Sequence, residues 1–132
     1  MDMQTPDDAS LAAAIAWLRA RHGDVMAAER EALARMDAGD IPGYTAKMRA
    51  KAESLAALAK DAAPQLASLP EPLRDRLAAA LKRFSQSAAM ALRLDSVFFM
   101  SALLYPDEHK PGEPDNLALF IDRLESQGQD FA

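Results

Sequence analysis

Apolar residues recur every three or four positions along nearly all of this 132-residue chain, and prolines or glycines stand where the pattern breaks. That period is one face of an α-helix; a half-buried strand would alternate at every second residue. Leu11, Ile15, Leu18, Val25, Leu33 and Met36 carry it over 7–38, with Pro6, Asp7 and Asp8 at the start and Gly39 as the cap. Ile41, Thr45, Met48, Ala52, Leu55, Ala59 and Ala62 form a heptad seam over 41–63, led by Asp40 as N-cap and Pro42 in the first turn. Pro64 predicts an end or kink near Ala62–Ala63, because it lacks a donor and clashes with the preceding turn. Pro64, Pro70 and Pro72 mark the main interruption. Leu73, Leu77, Leu81, Phe84, Ala88, Ala91, Asp95, Phe98 and Ala102 then predict one long helix over 72–105, stopped by Pro106. After a proline-rich loop, Leu117, Phe120, Ile121 and Leu124 share one face of a short helix over 115–127. A helix of that length does not persist alone and must dock; the bare face of 88–105 is the nearest apolar surface. The 29 alanines and only 5 glycines favour helix throughout. The expected fold is all-α: an antiparallel bundle of three long helices plus a short C-terminal helix, one domain over 1–132. The short Gly39–Asp40 connection makes the first two helices a hairpin.

Charge and absent motifs narrow the function. The net charge is −5, and residues 1–105 are neutral, so the whole excess lies in 106–132. An acidic chain without clustered Lys and Arg is not expected to bind nucleic acid. The acidic end is either a solvated tail or a segment that meets a basic surface. No run of about 18 apolar residues exists, so no membrane insertion is expected, and the start MDMQTPDD lacks the basic region of a signal peptide. A cytoplasmic location follows as the expectation. The absence of cysteine excludes thiolate metal sites, Fe–S clusters and cysteine nucleophiles. Glu-x-x-His, His-x-x-x-His, glycine-rich phosphate loops and Gly-x-Ser-x-Gly are all missing. The chain is therefore expected to be no enzyme, with no catalytic, cofactor-binding or metal-binding residue. His22, beside the first apolar stripe, is the one half-buried candidate base, and a hydrogen-bonded structural histidine is the plainer reading.

Between Ala88 and Tyr105 the charges are Arg93 and Asp95 alone. A helix apolar on all sides has to be surrounded, by the rest of the chain or by a partner. Met90, Leu94, Val97, Phe98, Phe99, Leu103 and Leu104, with Leu117 and Phe120 from the short helix, are the candidate partner-binding residues. They suit a helix-in-groove surface or plain core. Asp95 falls on the apolar track. A buried carboxylate there needs a partner, and Lys47, Arg49 and Lys51 are in reach. The alternative is a polar contact that selects a partner helix.

The stretch from Glu31 to Leu58, EALARMDAGDIPGYTAKMRAKAESLAAL, with Leu33, Gly39, Asp40, Lys51, Leu55 and Leu58, resembles the flagellar export chaperones of the FlgN class. Leu69-Pro70 and a long third helix fit the same plan. The resemblance implies a cytosolic chaperone without catalysis. Such chaperones hold C-terminal helical segments of hook–filament junction proteins before secretion, through apolar surface late in their own chain, here 88–105 and 117–124. It implies a protein partner and a monomer or homodimer. The competing reading is a helical oligomerisation or structural module that self-associates through 88–105.

Overall fold

The computed structural model describes residues 6–131, and they contain helices and no strand: α1 (Pro6–Asp37), α2 (Ile41–Leu66), α3 (Leu73–Arg93), α4 (Val97–Ala102) and α5 (Asn116–Gln127), with a 3-10 turn at Gly128–Asp130. No helix among these residues is long and apolar enough to cross a membrane. The signal-peptide reading of the first residues falls mainly on 1–5, outside the described residues.

Two aspartates cap the helices that follow them, Asp40 as expected and Asp115 in addition. Asp40 accepts from Gly43 N–H at 2.9 Å, which satisfies one of α2's orphan donors. Asp115 does the same for α5, accepting from Leu117 and Ala118 N–H at 2.9 and 3.0 Å. At the end of α1, Gly39 takes φ +77°, and Gly39 and Asp40 donate to the carbonyls of Met36 and Arg35. These bonds are the left-handed C-terminal cap that glycine favours.

Two expected boundaries differ. Helix α2 runs to Leu66, with Pro64 inside its last turn. The burial of Ala62 and Leu66 in the main core outweighs the one lost hydrogen bond. The expected single helix over 72–105 is broken into α3 and α4. Asp95 adopts φ +50°, and Asp95 and Ser96 N–H donate to Leu92 and Ala91 carbonyls. This is the same cap as at Gly39, with aspartate in the left-handed position. Ser96 then caps α4 through Phe99 N–H.

The core has two parts. The larger unites Leu11, Leu18, Val25, Leu55, Leu58, Leu69, Leu73, Leu77, Leu81, Leu117, Ile121 and Leu124. The smaller comprises Ala32, Met48, Ala52, Ala91 and Met100. Leu33, Met36 and Ile41, expected on the buried stripes, are exposed instead. The buried line of α1 is Leu11, Ala14, Leu18, Val25 and Ala32; Leu33, one residue beyond Ala32, is turned about 100° round the helix.

Between α2 and α3 the Ser85 hydroxyl sits on α2's own ladder, accepting from Ala59 N–H and donating to the Leu55 carbonyl, both at 2.9 Å. Helix α5 does not cover the face of 88–105, as expected of it. It lies along α1, where Arg19 reaches Asp122 at 3.2 Å and Glu125 at 2.8 Å, and its Phe120 ring meets Phe84 edge-on at 5.8 Å. Full burial of Leu117, Ile121 and Leu124 contributes about 1.5–3 kcal/mol each, enough to hold a helix that is marginal alone.

The break yields a test. Glycine at position 95 removes the left-handed penalty and loses one exposed ion pair to Arg49, each worth about 1 kcal/mol or less. Asp95→Gly is therefore expected to melt within a few degrees of the wild type, and Asp95→Val clearly lower, by thermal circular dichroism. Equal melting of Asp95→Val and the wild type would contradict the assigned backbone.

Candidate functional site

After the break at Leu94–Ser96, α4 turns Phe98 and Phe99 outward and Met100 inward. Phe98 is 74% exposed, Leu94 56%, Phe99 49% and Met90 48%, and the two phenylalanine rings meet edge-on at 5.7 Å. Large apolar groups at such exposure on adjoining turns form a contiguous patch, the kind of surface that marks an interaction site. Val97 and Leu103 are half-buried against the smaller core. Leu104, Leu117 and Phe120, grouped with them from sequence, belong to the main core. Leu104 takes φ +77° where the chain leaves α4; its side chain is buried, and its carbonyl accepts from Asn116 N–H at 2.9 Å. Leu117 is buried because α5 packs on α1, and Phe120 because it stacks on Phe84 and Phe131.

Below the patch lies a furrow. Two hollows, of about 540 and 670 Å³, share Ser87, Leu103, Leu104 and Asn116 and so adjoin end to end. One wall is a single stripe of α3: Ala80, Phe84, Ser87, Met90 and Leu94, with Arg83 on the rim. The opposite wall is Phe99 and Leu103, then Leu119 and Arg123 of α5. The furrow exists because α5 lies along α1, covers Phe84 with Phe120 and leaves Ser87, Met90 and Leu94 exposed.

Asp95 is not buried as expected. Its side chain is 75% exposed and pairs with Arg49, one of its three candidate partners. The other two have different roles. Lys47 pairs with Glu31 at 2.8 Å on the surface. Lys51 is wholly buried; its ammonium donates to Glu29 Oε1 at 2.9 Å and to the Ser101 carbonyl at 3.1 Å, and lies 5.0 Å from the centre of the Tyr105 ring. The Tyr105 hydroxyl donates to the other oxygen of Glu29. Burial draws the Lys51 pKa below the ordinary lysine value, against the pull of Glu29. Burial and the bond to Glu29 push the Tyr105 phenol well above its ordinary value. Among the described residues, every buried side-chain nitrogen and oxygen has a partner.

His22, the candidate base, is half-buried and bonds Asp115 Oδ2 at 2.7 Å. Burial pushes the Asp115 carboxyl up, but the His22 bond and the N–H groups of Ala118 and Leu117 outweigh it, and its pKa lies below the ordinary 3.8. A hollow of about 740 Å³ runs past His22, Glu29, Tyr105, His109 and Asp115. Each of these side chains is already bonded or stacked within the protein. No group of three or more His, Asp or Glu among the described residues is placed to hold a metal ion. Sequence reasoning missed the Lys51–Glu29–Tyr105 cluster. Its one signal is a lysine beside a heptad seam, at 51 next to Ala52. Comparison with protein-family models, curated proteins and solved structures finds no match.

Two predictions follow from the polar groups. Glu29→Leu leaves the buried ammonium unpaired and is expected to lower stability by about 3–5 kcal/mol in urea unfolding, and adding Lys51→Met to recover more than half. No recovery would mean that packing, not charge, sets the loss. At Asp115 the folded pKa is depressed, so its stabilising contribution is full above the unfolded value of 3.8 and is lost as pH falls through the folded value. The stability gap between wild type and Asp115→Asn should be widest near neutral pH and close in acid. A gap that does not change with pH would count against this.

Proposed function

We propose that this chain is a non-enzymatic binding protein that holds a helical segment of a partner protein in the furrow between α3, α4 and α5, in the manner of an export chaperone. The single observation that carries this reading is the exposed patch Met90, Leu94, Phe98 and Phe99 along an uncovered stripe of α3. Masking a partner's amphipathic segment needs such a surface: apolar, concave and one helix long. Methionine and leucine on its walls adapt to varied side chains. The FlgN-class resemblance over Glu31–Leu58 supports the export setting, a cytoplasmic location and a monomer or homodimer.

We read the architecture as one antiparallel bundle. Glu29 meets Lys51 while Glu31 meets Lys47, so numbers fall on one helix as they rise on the other. The pairs Leu55–Ser85 and Arg49–Asp95 support the same sense for α2 and α3.

The test uses Phe98→Asp. At 74% exposure this change is expected to leave helicity intact and stability within about 0.5 kcal/mol. Binding of a labelled amphipathic helical peptide, followed by fluorescence anisotropy, should weaken at least tenfold. Unchanged binding, or a wild type that binds no such peptide, would overturn the reading. A dimer in sedimentation that Phe98→Asp converts to monomer would favour self-association instead.

A further inference from the structure

Midway along the furrow, two uncharged polar side chains interrupt the apolar lining. The hollows adjoin at Ser87 on the α3 wall and Asn116 at the start of α5, beside Leu103 and Leu104. Both polar residues are exposed. Among the described residues neither side chain has a hydrogen-bond partner, whereas Ser85, Ser96, Ser101 and Ser126 each bond within the chain. The Asn116 backbone N–H is held on the Leu104 carbonyl at 2.9 Å, so the residue has a fixed place while its amide stays open. To either side the lining turns apolar: Met90, Leu94 and Phe99 at one end, Ala80, Phe84 and Leu119 at the other, where Arg83 and Arg123 also stand.

Exposed hydroxyl and amide groups bond water. A helix lying in the furrow excludes that water, and polar groups left unpaired in a closed apolar interface are penalised. An unbroken leucine face would leave them so. A neutral amide repairs this, because like Ser87 and Asn116 it both donates and accepts. A carboxylate only accepts, an ammonium only donates, and either would bring a charge onto Leu103 and Leu104. Ser87 stands midway between Ala80 and Leu94 on the α3 stripe, about 10 Å or two turns from each. The matching amide is therefore central in its helix, whichever way that helix runs, with apolar residues at helical spacing on both sides. One polar residue in an apolar seam also fixes the register. A second copy of this chain fits less well, since its own α3 stripe is recessed between the same walls. Resting on the reading of the furrow as a helix-binding site, we infer that its occupant is an amphipathic partner helix whose apolar face carries one asparagine or glutamine at its centre, over Ser87 and Asn116.

The experiment compares three synthetic peptides of about 18 residues with the same leucine face. They differ at one central position of that face, which is glutamine, leucine or glutamate. Glutamine and leucine are similar helix formers, so peptide helicity does not decide the outcome. Fluorescence anisotropy with the full chain gives each affinity. The glutamine peptide is expected to bind about five- to tenfold more tightly than the leucine peptide, the reverse of their hydrophobicity. Ser87→Ala/Asn116→Leu should invert that order; both positions are exposed, and the Asn116 backbone bond to Leu104 does not depend on the side chain. Ser87→Ala alone should shrink the preference to about twofold or less, and it decides the matter should the double variant not fold. Equal binding, tighter binding of the leucine or the glutamate peptide, or a preference unchanged in Ser87→Ala overturns the central amide and leaves the furrow reading standing. Binding of none of the three overturns both. A concentration-dependent dimer that the peptides compete apart puts a second copy in the furrow and overturns the partner.

Discussion

The buried ammonium of Lys51 is the constraint on which the arrangement of the helices rests. Removing a charge from water is penalised by several kcal/mol unless partners meet it inside. Here they come from three places: the Glu29 carboxylate on α1, the Ser101 carbonyl on α4, and the Tyr105 ring just beyond α4. The cluster is complete only when α1, α2 and α4 stand where they do. This matters in a chain whose helices meet through many alanines, because small side chains give little relief to set one helix against the next. Ser85, bonded to α2 through Ala59 and Leu55, sets α3 in the same way.

The furrow follows from that framework. Ser101 and Tyr105 are drawn inward by Lys51, so the other side of the short α4 faces out, and with it Phe98 and Phe99. Burial of Leu117, Ile121 and Leu124, with the Arg19 and His22 pairs, holds α5 along α1, and Met90 and Leu94 stay uncovered. Buried polar contacts and apolar packing together leave this surface open.

Much of this was legible in the residues. Asp40 and Asp115 announce their helices, because a short acceptor just before an apolar period has few other roles. The break at Asp95 was hidden, since the period of three and four continues across it from Ala91 to Phe98. Its sign was the pair Asp95-Ser96: one residue type that tolerates a left-handed backbone, then one that caps. The burial of Lys51 could not be read, because a lysine beside a seam normally extends to solvent. Nor could the docking of α5, which depends on Arg19 about a hundred residues away. Of the nominated surface, Met90, Leu94, Phe98 and Phe99 stand open, while Leu104, Leu117 and Phe120 went to the core.

The two parts of the core differ in kind. The larger is mostly leucine, with four alanines, Val25, Ile121, Phe120 and Phe131; the smaller has three alanines and two methionines. Less apolar area is removed from water per residue in the smaller part. The two parts therefore differ in what holds them: leucine packing in the larger, and the Lys51 cluster beside the smaller. Helix α4 is held there by Met100 and by the bond of the Ser101 carbonyl to Lys51, so its order rests on the buried ion cluster more than on apolar area.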